Sequence, residues 1–146
     1  SLLTDAQFSD VVESINAASQ PLQLTLNELD KTVSVGTKTC HLAPREFAFY
    51  LWFAQRKQRG EPGIERPIDG ITFDSEEYQK LYNSLGKQQD IEFDQKFFDQ
   101  TRSRLKKKFL ACFGADLTAR IHITQPGRNR PYACPLAAGQ IVIDEM

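Results

Sequence analysis

Apolar positions along the chain change period several times, and each change marks an element. Thr4 stands three residues before Gln7, the arrangement of a capping box, and Phe8, Val11, Val12 and Ile15 then share one helical face up to Pro21. From Leu22 the period shortens. Leu22, Leu24 and Leu26 alternate with polar residues, which predicts a strand. Residues 32–35 and 38–42 flank Gly36-Thr37 and read as a hairpin. Pro44 sits where the first turn of a helix needs no N–H, and Phe47 to Ala54 is apolar almost throughout. A helix greasy on all sides belongs at the centre of a core. Its basic end, Arg56, Lys57 and Arg59 before Gly60, suits a helix C-terminus.

The stretch 60–73 is rich in Gly and Pro and reads as a loop, with an extended piece at Ile71-Thr72-Phe73. Asp74 or Ser75 then caps a short helix whose face is Tyr78, Leu81, Tyr82 and Leu85, stopped by Gly86. Asp94 starts the longest helix. Phe97, Phe98, Thr101, Leu105, Phe109 and Cys112 recur at spacings of three and four to about Cys112, and Gly114 closes it. Residues 120–124 are expected as a strand and Pro126-Gly127-Arg128-Asn129 as a turn. Residues 132–135 and 141–143 are expected to complete a C-terminal antiparallel unit. The sum is an α+β domain of the winged helix–turn–helix kind, with a small N-terminal antiparallel sheet and a C-terminal β-hairpin wing. Residues 22–146 form it, and residues 1–21 are expected to be a helix and linker from an upstream domain.

Composition narrows the class only slightly. The 146 residues are 40% hydrophobic and 25% charged, ordinary values for one globular domain. No apolar run approaches the ~20 residues of a membrane span, and the start carries no signal peptide. These features point to a cytoplasmic protein without a membrane role. The missing initiator Met is expected of a piece that begins inside a longer chain. Cys40, Cys112 and Cys134 are odd in number and form no CxxC, so they read as reduced, buried thiols.

Charge patterning changes the picture more. The chain as a whole carries −1, yet residues 101–130 hold eight basic side chains against the single acid Asp116, a surplus of +7 that leaves −8 for the remainder. At 100° per residue, Arg102, Ser103, Lys106 and Lys107 point away from the Phe97–Phe109 stripe, with Arg104 and Lys108 beside them. A basic face on the last helix followed by a turn holding Arg128, Asn129 and Arg130 is the layout of a duplex reader, helix in the major groove and wing on phosphate or minor groove. Arg forks onto guanine or phosphate, and Lys acts as a point charge on the backbone. A solvated face with no ligand has the same spacing.

Two resemblances follow. Thr32-Val33-Ser34-Val35 with His41-Leu42-Ala43-Pro44-Arg45-Glu46-Phe47-Ala48 resembles the opening of OmpR-type response-regulator output domains. Thr101-Arg102-Ser103-Arg104-Leu105-Lys106-Lys107-Lys108 resembles their recognition helix, and Ile123-Thr124, Gly127-Arg128 and Tyr132 their wing; residues 60–92 are longer and more acidic than the family's loop. The second resemblance spans nearly the whole chain. Residues 42–50, 97–108 and the ending Arg130-Pro131-Tyr132, Leu136, Ile141-Val142-Ile143 resemble the C-terminal region of CRISPR-associated CARF proteins. It implies an upstream sensor of cyclic oligoadenylate, with any ring-nuclease chemistry located there.

Catalysis is not expected in this piece. His41 adjoins Cys40 in a predicted strand, where neighbours face opposite ways, and His122 alternates with Ile121 and Ile123 as a surface residue would. No Arg precedes either His at ribonuclease-motif spacing, and Glu76-Glu77 read as a solvated first turn. No phosphate-cradling loop or zinc pattern is present, so no cofactor is expected. The expected partners are duplex DNA, with RNA as a second ligand class, and the upstream sensor domain. The competing reading is a protein–protein or homodimer interface through Trp52, Tyr78, Tyr82 or the first helix.

Overall fold

A computed structural model describes residues 22–145; the expected helix within residues 1–21 lies outside them. Three short strands come first, β1 (Leu24–Asn27), β2 (Thr32–Val35) and β3 (Lys38–His41). They pair antiparallel in the register Leu26–Val33–Cys40, which puts those three buried side chains in one row. Gly36 takes φ +59° at the β2–β3 turn, as the hairpin reading requires.

Helix α1 (Pro44–Gln58) follows, with Pro44 in its first turn. Every residue from Glu46 to Ala54 is buried, so the all-round apolar run does mark the central helix. Helix α2 (Glu76–Ser84) packs on α1 through Tyr78 and Tyr82. Helix α3 (Gln95–Ile121) is two helical segments joined across Gly114. Asp94 caps it, accepting a 2.8 Å hydrogen bond from the Phe97 N–H. Phe93 and Phe98 bracket that cap as a hydrophobic staple, their rings 6.4 Å apart. A 3₁₀ turn (Ala138–Gln140) leads into β4 (Ile141–Asp144).

The fold is α+β, a four-stranded sheet with three helices among the described residues. Its C-terminal part departs from the expected hairpin. Residues 120 and 121 are helical, because α3 restarts after Gly114 and buries Thr118 and Ile121. Residues 132–135 do not pair with 141–143. Instead β4 lies parallel to β1, giving the order β3-β2-β1-β4. Two long-range bonds seat it there: Gln58 Nε2 donates to the Ile141 carbonyl at 2.8 Å, and Gln140 Nε2 to the Leu22 carbonyl at 2.9 Å. What remains of the hairpin is one antiparallel bridge, Thr124 to Ala133, closing the Pro126–Arg130 turn. Residues 71–73 are also without strand pairing.

Candidate nucleic-acid interface

The basic stretch is carried by the first segment of α3. Its inner side buries Phe98, Thr101, Leu105, Phe109 and Phe113. Arg104, Lys106, Lys107 and Lys108 are all exposed. The 3.6-residue period turns the Phe stripe inward and leaves these four in water. Two acids interrupt the outer side less than their charge implies. Asp99 is held by both forks of Arg66, at 2.8 and 2.5 Å. The Arg66 guanidinium keeps the Asp99 carboxyl below its ordinary pKa, with Arg102 adding to the effect. Asp116 lies beyond the kink, on the second segment.

Arg102 stands apart from its basic neighbours. It is half-buried, its Nε donates to the Ile123 carbonyl at 2.9 Å, and its guanidinium lies 5.1 Å from the Tyr132 ring centroid. It therefore braces α3 against the segments on both sides of the turn. A helical wheel places Arg102 outside the buried stripe but does not show Ile123 and Tyr132 folding back over it.

The turn itself is exposed. Asn129 takes φ +62°, a conformation Asn tolerates better than most residues. The Arg130 N–H donates to the Gly127 carbonyl at 3.1 Å, and Gln125 Nε2 donates to the Arg130 carbonyl at 2.8 Å. Arg128, Asn129 and Arg130 project from this small closed loop, all exposed. The loop after α1 clamps its base. Ile64 and Tyr132 exchange two backbone hydrogen bonds of 2.8 Å each. Gly63 makes that approach feasible, because a Cβ there would stand 2.1 Å from the Tyr132 carbonyl oxygen. Arg66 and Arg102 thus tie the turn, the 60–70 loop and α3 into one surface.

Among the described residues, the ion pairs lie elsewhere. Arg56 and Arg59 share Glu61 and Glu77, Arg66 takes Asp99, and Lys80 takes Glu76. Glu77 also accepts from the Trp52 indole at 3.3 Å, so it is a knot between α1 and α2 rather than a free first-turn acid. None of these pairs uses Arg104, Lys106, Lys107, Lys108, Arg128 or Arg130.

The remaining candidates resolve differently. His122 is buried at the C-cap of α3 and is not a surface strand residue. Burial, with Arg102 and Lys106 nearby, depresses its pKa to about 3, so the ring is neutral. His41 is exposed on β3 while Cys40 faces inward, so the two do not form a nucleophile pair. Burial and the neighbouring Cys112 push the Cys40 thiol up to about 12. Cys134 is raised by burial as well, and the described cysteines are all free. No cluster of His, Cys, Asp and Glu among the described residues has metal-binding form. Trp52, Tyr78 and Tyr82 are at most 3% exposed, inside an aromatic core, which removes them as interface side chains.

No protein-family model matches the chain, and neither curated proteins nor solved structures give a match. No described helix is long and apolar enough to cross a membrane.

Proposed function

We propose that this domain is a non-catalytic, cytoplasmic regulatory module that binds duplex DNA. In this reading α1, α2 and the first segment of α3 form the helix–turn–helix core of a winged helix. The first segment of α3 enters the major groove, and the turn at Pro126–Arg130 acts as an abbreviated wing. The observation that carries it is the set of six exposed cations without an acidic partner among the described residues: Arg104, Lys106, Lys107, Lys108, Arg128 and Arg130. Their neighbour acid Asp99 is already neutralised by Arg66. A surface kept free of its own counter-charges, on a protein that is −1 overall, offers a local positive field to phosphate.

Arg102 takes a different role from the one its sequence position implies. It positions the turn against α3, and the groove-facing work falls to Arg104, Lys106 and Lys107, with Lys108 and the turn on backbone. The sensor-coupled arrangement implied by the second resemblance gives such a module an upstream partner that switches it.

The test is a fluorescence-anisotropy comparison of three ligands at one low salt concentration: duplex from the protein's own genomic neighbourhood, random duplex, and single-stranded RNA. Tighter binding to the cognate duplex supports the reading. A preference for single-stranded RNA replaces it with RNA binding, where unstacked bases rather than grooves are read. Absence of binding to all three refutes it.

A further inference from the structure

Viewed down its axis, the outer side of the first segment of α3 divides into a crest and two flanks. At ~100° per residue, Ser103 and Lys107 lie ~160° round from the buried Leu105, and Gln100 lies ~140° round. Arg104 and Lys106 stand ~100° from Leu105 in opposite directions, with Lys108 beside Arg104 and Arg102 beside Lys106. The surface follows the same division. Gln100, Ser103 and Lys107 border one shallow hollow with Asp99 and Arg104. Arg104, Lys107 and Lys108 border another with Glu46 of α1, whereas Arg102 and Lys106 border a third with residues of the second segment.

The crest carries hydrogen-bonding groups that the fold leaves unused. Gln100 and Ser103 are exposed, and neither side chain has a hydrogen-bond partner among the described residues. The side-chain hydrogen bonds of this segment belong instead to the cap Asp94, to Asp99 and to Arg102. The Asp99 charge is met by Arg66. Two neutral groups thus occupy the line farthest from the core, with Arg104 and Lys108 on one side and Lys106 on the other. A helix ~10–12 Å across fills the ~12 Å major groove of B-form DNA. Seated there, the flanking cations meet phosphates of the two strands, and the crest meets base edges.

Resting on the duplex reading, we propose that Gln100 is the residue that sets sequence preference, selecting an A·T pair in the major groove, and that Ser103 contacts the adjacent pair. A carboxamide holds one donor and one acceptor side by side, which complements the N6 amino group and N7 of adenine. Guanine offers two acceptors in that groove and matches a carboxamide less well. A hydroxyl both donates and accepts, so Ser103 tolerates any pair. The two residues are three apart, ~4.5 Å along the helix against ~3.4 Å between stacked bases, so they reach neighbouring pairs. The cations supply affinity and orientation, and the neutral crest supplies discrimination.

The experiment selects duplexes from a random library with the wild-type protein, then measures anisotropy on the selected site with each base pair replaced in turn. Wild type is expected to enrich a site with an A·T pair whose replacement by G·C lowers affinity about 5- to 150-fold. In Gln100→Ala that penalty disappears at this one pair, while penalties elsewhere in the site remain. In Gln100→Arg the preference there moves from A·T to G·C, because a guanidinium forks onto guanine O6 and N7. Such a gain separates base reading from a loss through misfolding. Gln, Ala and Arg all favour helix, and circular dichroism checks that both variants fold. The proposal is overturned if wild type binds duplex with steep salt dependence and no base preference, which leaves a phosphate surface alone. It is equally overturned if both variants select the wild-type site, which assigns the reading to other residues. Failure to bind any duplex refutes the interface itself, and this assignment with it.

Discussion

Replacing Lys106, Lys107 and Lys108 together by Gln tests the interface quantitatively. All three side chains are exposed and none takes part in an ion pair among the described residues, so the change removes charge and little packing. If all six free cations meet phosphate, at ~0.9 released counterions per contact, log K falls with log salt at a slope of about −5. The same rule gives wild type a loss of about 10³ in affinity between 50 and 200 mM salt. Removing three contacts leaves a slope of about −3 and a loss of about 40-fold over that range. Gln keeps helix propensity close to that of Lys, so circular dichroism and melting temperature should match wild type. The assay is anisotropy at four salt concentrations with one duplex. An unchanged slope in the folded variant would refute the assignment of α3 to the phosphate surface, and a wild-type slope near zero would refute electrostatic binding altogether.

Three further outcomes follow from the fold. Phe93 lies within 4.9–6.4 Å of the rings of Phe49, Trp52, Phe73, Tyr78, Phe97 and Phe98, so Phe93→Ala should cost about 3–5 kcal/mol in urea unfolding; a loss below about 1 kcal/mol would mean that the cluster closes over the cavity. Gly63→Ala drives a Cβ into the Tyr132 carbonyl and should cost about 1–3 kcal/mol, with faster hydrogen exchange at the Ile64 and Tyr132 amides; unchanged protection there would show that the strap is not needed. His122 binds its proton in the unfolded chain near pH 6.5 but only near about 3 when folded, so its contribution is intact above pH 6.5 and is lost as pH falls toward 3, by at most about 1.4 kcal/mol per pH unit. Stability measured from pH 7 to 4 should fall less steeply in His122→Gln, and identical slopes would contradict burial of the neutral ring.

Much of the framework is legible in the chain itself, where a local rule has one outcome. Gly36 between two alternating runs makes the β2–β3 hairpin, Pro44 before eight apolar residues makes the central helix, and Asp94 before a repeating Phe stripe starts α3. The exposure of Arg104 and Lys106 to Lys108 also follows from period alone, since one side of an amphipathic helix must stay in water. Phe93 was hidden in a stretch that reads as loop, although a hydrophobic residue before an Asp cap with Phe four positions into the helix is a staple signal. The restart of α3 had a signal too: Leu117 and Ile121 are four apart, and Ala115 and Ala119 favour helix.

Other features were decided by the tertiary structure. Residues 141–143 alternate like any half-buried strand, and nothing in them names β1 rather than residues 132–135 as partner; that choice goes with contacts to distant parts of the chain, Gln58 of α1 donating to the Ile141 carbonyl and Gln140 to the carbonyl of Leu22 ahead of β1. Arg102 and Lys106 carry the same charge on the same helix, yet only Arg102 is covered by Ile123 and Tyr132 and turned into a brace. His122 is buried at the C-cap of α3 because the helix restarts beyond Gly114, where a φ of +84° breaks its course. Periodicity reports which side of an element is wet, whereas pairing, bracing and cavities depend on which surfaces arrive opposite one another, and that is set by the packing of the whole core.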